Sequence, residues 1–251
     1  MKILVVGGTG FLGGAVTAEA VAAGHEVSIF TRGRTPLELP SSVTVLVGDR
    51  HTDLSALHGM CFDLVVDTCA FTPLSVSLLL HALSPDIGKY ALVSSCSVYS
   101  DCSLPDVDED GPAPYATEDQ LAFANAIPLA ERSDAMSYGQ AYGPLKRSAE
   151  LVAIDRLNDR ALILRSGLLV GAGDYSDRLA YWVRRVDEGG AMVAPGDPTR
   201  RIQFIDVRDA ANFIVAGAEH GLGGVFNLTG VPITWDKFLR ACQTISNSDC
   251  E

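Results

Sequence analysis

Lys2-Ile3-Leu4-Val5-Val6-Gly7-Gly8-Thr9-Gly10-Phe11-Leu12-Gly13 is the stretch whose reading decides the fold. A short, mostly apolar run suited to a buried strand passes straight into glycines and then into a helical pattern. Leu12, Val16 and Ala20 recur at i,i+4 spacing, marking one face of a helix from Phe11 to about Ala23, and Gly24 suits the position just past its end. Three of the glycines have separate reasons to be there. Gly7 permits the tight turn, Gly10 lets an anionic ligand approach the backbone, and Gly13 lets the helix pack closely on the strand. The first turn of such a helix presents unpaired N–H groups and the positive end of its dipole, a site for a pyrophosphate.

Outward from this unit the rhythm repeats. Apolar runs fall at Glu26–Phe30, Val43–Val47, Leu64–Asp67, Tyr90–Ser94 and Ala161–Arg165, with helical patterns near Ser75–Leu83 and over Tyr142–Leu157. Strands alternating with helices predict an α/β fold with a doubly wound parallel sheet. The segment Asp101–Ser137, rich in Pro, Asp, Glu and Ala, interrupts it and reads as a long surface excursion. A helix is expected at Asp177–Glu188, a strand at Gln203–Ile205, a helix near Arg208–Ala218, a strand at Val225–Leu228 and a closing helix from about Thr234. The expected division is a dinucleotide-binding domain over 1–165 and a mainly substrate-binding lobe over 166–251, some of whose elements return to the first domain.

Composition narrows the function. The 251 residues carry a formal net charge of −12, which disfavours a nucleic-acid partner. No run of about 18 apolar residues is present and the opening apolar run is too short for a signal-peptide core, so no membrane span and a cytosolic location are expected. Six cysteines (61, 69, 96, 102, 242, 250) without CxxC spacing fit reduced thiols, and five scattered histidines give no metal-ligand pattern.

The residue after the second strand selects the nucleotide. An acid there would accept hydrogen bonds from an adenosine 2′-hydroxyl; this chain has Thr31-Arg32-Gly33-Arg34, whose guanidiniums suit a 2′-phosphate. NADP(H) is the expected cofactor and NAD(H) the lesser alternative. Thr9, Phe11 and Leu12 complete the glycine loop; Asp49 and Arg50 are expected beside the adenine, Thr68, Cys69 and Ala70 near the ribose, and Ser94 at the next strand end. Tyr142 and Lys146, four residues apart, share one helix face. An adjacent ammonium would lower a phenol from its usual pKa of about 10 and make proton exchange with a carbonyl or alcohol feasible near neutrality. Ser95 is placed to hydrogen-bond the reacting oxygen, while Cys96, its neighbour on the strand, is expected to point into the core.

Together these motifs resemble an extended short-chain dehydrogenase/reductase of the NAD-dependent epimerase/dehydratase group, with its Rossmann fold. The match rests on Gly7-x-x-Gly10-x-x-Gly13, Ser95-x-x-Val98-Tyr99 and Tyr142-Gly-x-x-Lys146, and continues through Leu164–Gly171 and Gln203–Asp209. The resemblance implies Tyr142 as proton donor or acceptor, Lys146 as the group that lowers its pKa and holds the nicotinamide ribose, and Ser95 as the substrate-orienting hydroxyl. Two departures stand out. The acid of NAD-preferring sugar epimerases is absent after the second strand, and the chain stops soon after Asn227-Leu228-Thr229-Gly230, implying a reduced lobe or an incomplete sequence. Arg178, Tyr181 and Trp182 are candidates for a substrate pocket or for packing, and Arg200 and Arg201 for anion binding or plain solvation. The leading expectation is hydride transfer to or from a small-molecule carbonyl or alcohol. The alternatives are an epimerase or dehydratase with tightly held cofactor and a non-enzymatic regulatory or RNA-associated protein; a homodimer is left open.

Overall fold

The computed structural model describes residues 1–34, 39–83, 85–103 and 105–246. In chain order, β1 (Lys2–Val6), α1 (Phe11–Ala22), β2 (Glu26–Thr31), β3 (Thr44–Val47), β4 (Leu64–Asp67), α2 (Pro73–Ala82) and β5 (Lys89–Ser95) come first. Next are α3 (Glu118–Ala126), α4 (Tyr142–Leu157), β6 (Ala161–Ser166) and β7 (Leu168–Val170). The last part holds α5 (Ala180–Asp187), β8 (Arg201–Ile202), β9 (Phe204–Asp206), α6 (Val207–Glu219), β10 (Gly224–Leu228), β11 (Ile233–Thr234) and α7 (Trp235–Ile245).

Seven strands form one sheet in the order β10-β6-β5-β4-β1-β2-β3, with every neighbouring pair parallel. Such strands are covered on both faces, which is why β4 and β6 are buried along their whole length and read as apolar runs. Alternate residues supply opposite layers. Ile3 and Val5 pack with Val16, Ala20, Ala210 and Ile214 beneath α1 and α6, while Leu4 and Val6 pack with Val76, Leu79, Ala149 and Ala153 beneath α2 and α4. The strand order reverses direction between β1 and β4. That reversal opens a crevice at the carboxyl ends of these strands, where ligands of doubly wound sheets bind.

The chain after β6 splits between two places. β10 extends the main sheet beside β6, and α6 covers the same face as α1. The remainder forms a small lobe: β7 pairs with β9, β8 with β11, and α5 packs on α7 around Trp182, Val186, Trp235, Phe238 and Cys242. Trp182 meets Trp235 edge-on at 4.9 Å between ring centroids, so Trp182 is a packing anchor, whereas Tyr181 stays half exposed.

Most expected elements are present within a residue or three of their expected ends. The excursion differs. It contains α3, whose start is fixed by a capping box in which Thr117 accepts from the Gln120 backbone N–H and Gln120 reaches back to the Thr117 N–H. The sequence carries that signal as Thr117-x-x-Gln120. Its apolar residues are too few to mark the helix by periodicity alone. Cys250 lies outside the described residues.

Candidate active site

The glycine loop is shaped by contacts a side chain would violate. Gly7 has φ of +82°, a left-handed conformation, and a Cβ there would lie 2.6 Å from Thr68 Oγ1. A Cβ on Gly13 would meet the Gly7 carbonyl oxygen at 2.1 Å, and one on Gly8 would lie 2.5 Å from Ile29 Cγ2. Gly10 is different: its nearest neighbour is the Gly7 oxygen at 3.4 Å, so the protein itself does not require glycine there. Gly10 is also the N-cap of α1 and provides no capping side chain. Open backbone at an uncapped helix start is a cradle that a Cβ would fill, and it fits a diphosphate. Thr9 and Phe11 are half-buried in this loop, whereas the Leu12 side chain belongs to the core beneath α1.

The floor of the crevice is held by a buried ion pair. Arg50 donates two hydrogen bonds to Asp67, at 2.7 and 2.9 Å, and further ones to Cys69 Sγ and the Ser75 carbonyl. Burial alone would raise the Asp67 pKa, but the Arg50 charge and the hydrogen bonds from Arg50 and Tyr90 hold it below the usual carboxylate range. The expectation that Arg50 borders the adenine is therefore corrected: its guanidinium is committed inward because Asp67, fully buried, needs a counter-charge. Thr68 donates to the Val6 carbonyl, and Cys69 and Thr68 both line Gly7.

Lys146 is buried and donates to the carbonyls of Ala70 (2.7 Å) and Val93, with its ammonium 5.6 Å from the Phe71 ring centroid. Desolvation brings its pKa down to about 8. Tyr142, one turn earlier, packs on Phe71 at 6.1 Å between centroids. Its phenol is raised from the ordinary tyrosine value by burial, against the lowering effect of Ser95. The expected lowering by Lys146 is thus corrected for this state of the protein: two backbone carbonyls hold the ammonium, and desolvation dominates the phenol. Phe71 itself, the ring joining Tyr138, Tyr142 and Lys146, was not singled out from sequence; no local motif marks it.

Ser95 and Tyr142 come together because the turn after β5 abuts the start of α4. A Cβ on Gly143 would lie 1.9 Å from the Ser97 carbonyl oxygen, so the helix approaches that closely only with glycine there. Ser95 also accepts from the Ser97 N–H at 3.1 Å. Ser94 faces the opposite way, where its hydroxyl donates to the fully buried Glu150 at 2.5 Å. This corrects the expected cofactor contact of the Ser94 side chain; successive strand residues point to opposite faces, and only Ser95 reaches the crevice. Glu150 also accepts from Arg147 and Arg165, and Arg165 donates onward to Tyr99 and the Glu109 carbonyl. Tyr99 in turn donates to Asn227 at 2.6 Å, tying α4, β6 and β10 together behind the site.

At the far end, Thr31 accepts from Gly33 N–H, Arg34 is exposed, and Arg32 donates to Ser133 at 3.3 Å. Asp49 accepts from the His51 N–H. His51 is brought down to about 4, first by burial and then by the Arg50 charge, with Asp49 opposing and Arg132 and Arg32 adding smaller lowering effects. Arg132 comes from the excursion. In the C-terminal part, Arg178, partly exposed, pairs at 3.4 Å with Asp174, whose side chain is 6% exposed, and Arg200 and Arg201 are exposed.

Comparisons with known proteins agree with this geometry. Residues 72–229, more than half of the chain, match the model of the NAD dependent epimerase/dehydratase family. The chain is 28% identical, over 96% of its length, to the chloroplast stem-loop binding protein of 41 kDa b of Arabidopsis thaliana, and spans 62% of that protein. Among solved structures it is similar to a UDP-N-acetylglucosamine 4-epimerase of Methanobrevibacter ruminantium (TM-score 0.72, 20% identity, 99% of this chain and 84% of that one). It is likewise similar to a UDP-glucuronic acid 4-epimerase of Bacillus cereus in complex with NAD (TM-score 0.72, 21% identity, 100% of this chain and 87% of that one). Among the described residues no helix is long and apolar enough to cross a membrane. With the sheet order, the glycine loop and the matched residues in hand, the chain belongs to the NAD dependent epimerase/dehydratase family.

Proposed function

We propose that the chain is an NADP(H)-dependent oxidoreductase that moves a hydride to or from the carbonyl or alcohol carbon of a small molecule. The observation that carries the reading is the close packing of the turn that Ser95 opens against the start of α4 at Tyr142, where Gly143 meets the Ser97 carbonyl, at the carboxyl edge of the sheet that also carries the glycine loop. The nicotinamide, when bound, supplies or accepts the hydride. Gly10 and the first N–H groups of α1 hold the diphosphate. Lys146 has three donors, two of them given to Ala70 and Val93, and offers the third to a ribose hydroxyl. Tyr142, raised by burial, stands as a neutral phenol able to give its proton to a substrate oxygen, and Ser95 holds the same oxygen and steadies the phenolate that results. The preference for the 2′-phosphate is supported by Arg32 and Arg34, exposed guanidiniums directly after β2.

A second reading, epimerisation or dehydration with the cofactor oxidised and restored within one turnover, is favoured by the family and by the sugar-nucleotide enzymes it resembles. A relative named for stem-loop binding raises a nucleic-acid partner; the net charge of −12 supports leaving it out. The cytosolic location expected from the sequence goes with the oxidoreductase reading. The test is mass spectrometry of the copurifying cofactor, then assay against a panel of carbonyls. Stoichiometric NADPH consumption supports the oxidoreductase, substrate conversion without net consumption the second reading. Tight NADH binding with no NADPH binding overturns the cofactor assignment.

A further inference from the structure

Cys96 and Cys102 lie close together at the turn that follows Ser95. Cys96 is half-buried and Cys102 exposed, and both thiols are free. Cys102 Sγ donates to the Cys96 carbonyl oxygen at 3.3 Å, which folds the chain back on itself and brings the two residues together. Cys102 is fixed in place by a turn in which Asp101 accepts from both the backbone N–H (2.8 Å) and the hydroxyl (2.6 Å) of Ser103. Cys96 begins the short turn that Ser95 caps and that packs against Gly143 of α4, the residue after Tyr142. The expectation that Cys96 points into the core fails here because the strand ends at Ser95 and the chain turns.

We infer that Cys96 and Cys102 form a reversible intramolecular disulfide on exposure to peroxide, and that the crosslink controls the active-site turn. The exposed Cys102 reacts first. Its thiolate attacks one peroxide oxygen, the O–O bond breaks, and the leaving hydroxide takes a proton to become water, which leaves Cys102 as a sulfenic acid. The Cys96 sulfur then attacks the Cys102 sulfur, the S–O bond breaks, and a second water departs with the Cys96 proton. Two protein thiols lose two electrons in total and one peroxide becomes two waters. Cys96, half-buried and raised above the ordinary thiol value by burial, is the resolving partner rather than the first target. An uncharged oxidant suits the acidic surface around Asp101, Asp106, Asp108 and Asp110.

The crosslink is tested on the full chain, reduced and then titrated with hydrogen peroxide. The intact mass should fall by two hydrogens, two thiols should disappear, and cleavage after Tyr99 should leave the two sides joined until dithiothreitol is added. Cys102→Ser should abolish all three changes. A Cys102 that proceeds to sulfinic acid with Cys96 still reduced, or a crosslink between two chains, overturns the proposal. The control role rests on the reading of Tyr142 and Ser95 above and is measured separately. In the crosslinked protein NADPH affinity should hold while turnover falls roughly 10-fold or more, as expected when reacting groups are displaced slightly. Dithiothreitol should restore it, and Cys102→Ser should be insensitive to peroxide. Crosslinking with turnover unchanged overturns the control role while leaving the modification site intact.

Discussion

Around Tyr142 and Lys146 the polar groups are buried and each is held by partners distant in sequence: Lys146 by Ala70 and Val93, Glu150 by Ser94 and Arg165, Asp67 by Arg50 and Tyr90. Between Asp177 and Arg208 the polar groups pair at the surface with near neighbours, as in Arg184 with Asp177 and Arg208 with Asp206. The first region depends on the whole fold, and a change there leaves a buried charge or carbonyl without a partner. The second depends on little beyond its own turns, since exposed ion pairs contribute about 0–1 kcal/mol. One region is thus fixed by the whole fold, and the other is free to vary.

The contrast is broken most forcefully at Gly13. With the Gly7 oxygen 2.1 Å from where a Cβ would stand, Gly13→Val should cost roughly 3 kcal/mol or more of stability and move the urea midpoint accordingly. Gly10→Ala, by comparison, should keep the midpoint while dinucleotide affinity is lost.

At the reacting end, Tyr142→Phe should leave folding and cofactor affinity nearly unchanged and lower turnover by roughly 10²–10⁴-fold, the range for a general acid. Full activity in that variant on an identified substrate would remove Tyr142 from the chemistry.

Lys146 gives a smaller effect with a definite sign. Its pKa is about 8 folded against about 10.4 for a free lysine, so between those values the unfolded chain binds the proton and the folded chain does not. Stability should rise as pH climbs from 8 towards 10.4, by roughly 1 kcal/mol or more, and fall again on the way down, with the cost fully present below 8. Lys146→Met should lose this slope, read as the difference between the two urea midpoints across the window. Equal slopes would mean the ammonium is better solvated than its burial implies.

At the adenosine end, Arg32→Ala should erase most of a several-fold preference for NADPH over NADH, measured by calorimetry. The smallest effect is expected in the lobe, where Arg184→Ala should change stability by less than about 0.5 kcal/mol, its pair with Asp177 being exposed on both sides. A loss of several kcal/mol there would erase the distinction between the two regions.

The same contrast explains what the sequence reveals. Buried parallel strands and the helix over Tyr142–Leu157 are legible because their apolar periodicity is set by burial in the main sheet. The packing of the Ser95 turn on the helix start at Tyr142 is legible because strand ends and helix starts in this topology converge. Arg50 misleads since its partner Asp67 comes from another strand end, and no local spacing announces a pair seventeen positions apart. Lys146 misleads because four-residue spacing places it near Tyr142 but cannot reveal two carbonyls waiting for the ammonium. The two-residue strands β8 and β11 have too little sequence to show a period.

The return of α6 and β10 to the main sheet has a consequence for how the protein is made. Ile3, Val5 and Leu164 lie on a face that only α1 covers until residues 207–219 have been synthesised, and β6 remains an edge until residues 224–228 arrive. A nascent chain therefore carries an open apolar face until α6 arrives, and an unpaired β6 edge from residue 166 until residue 224. Both close only when residues 207–228 are in place, within the last fifth of the described chain.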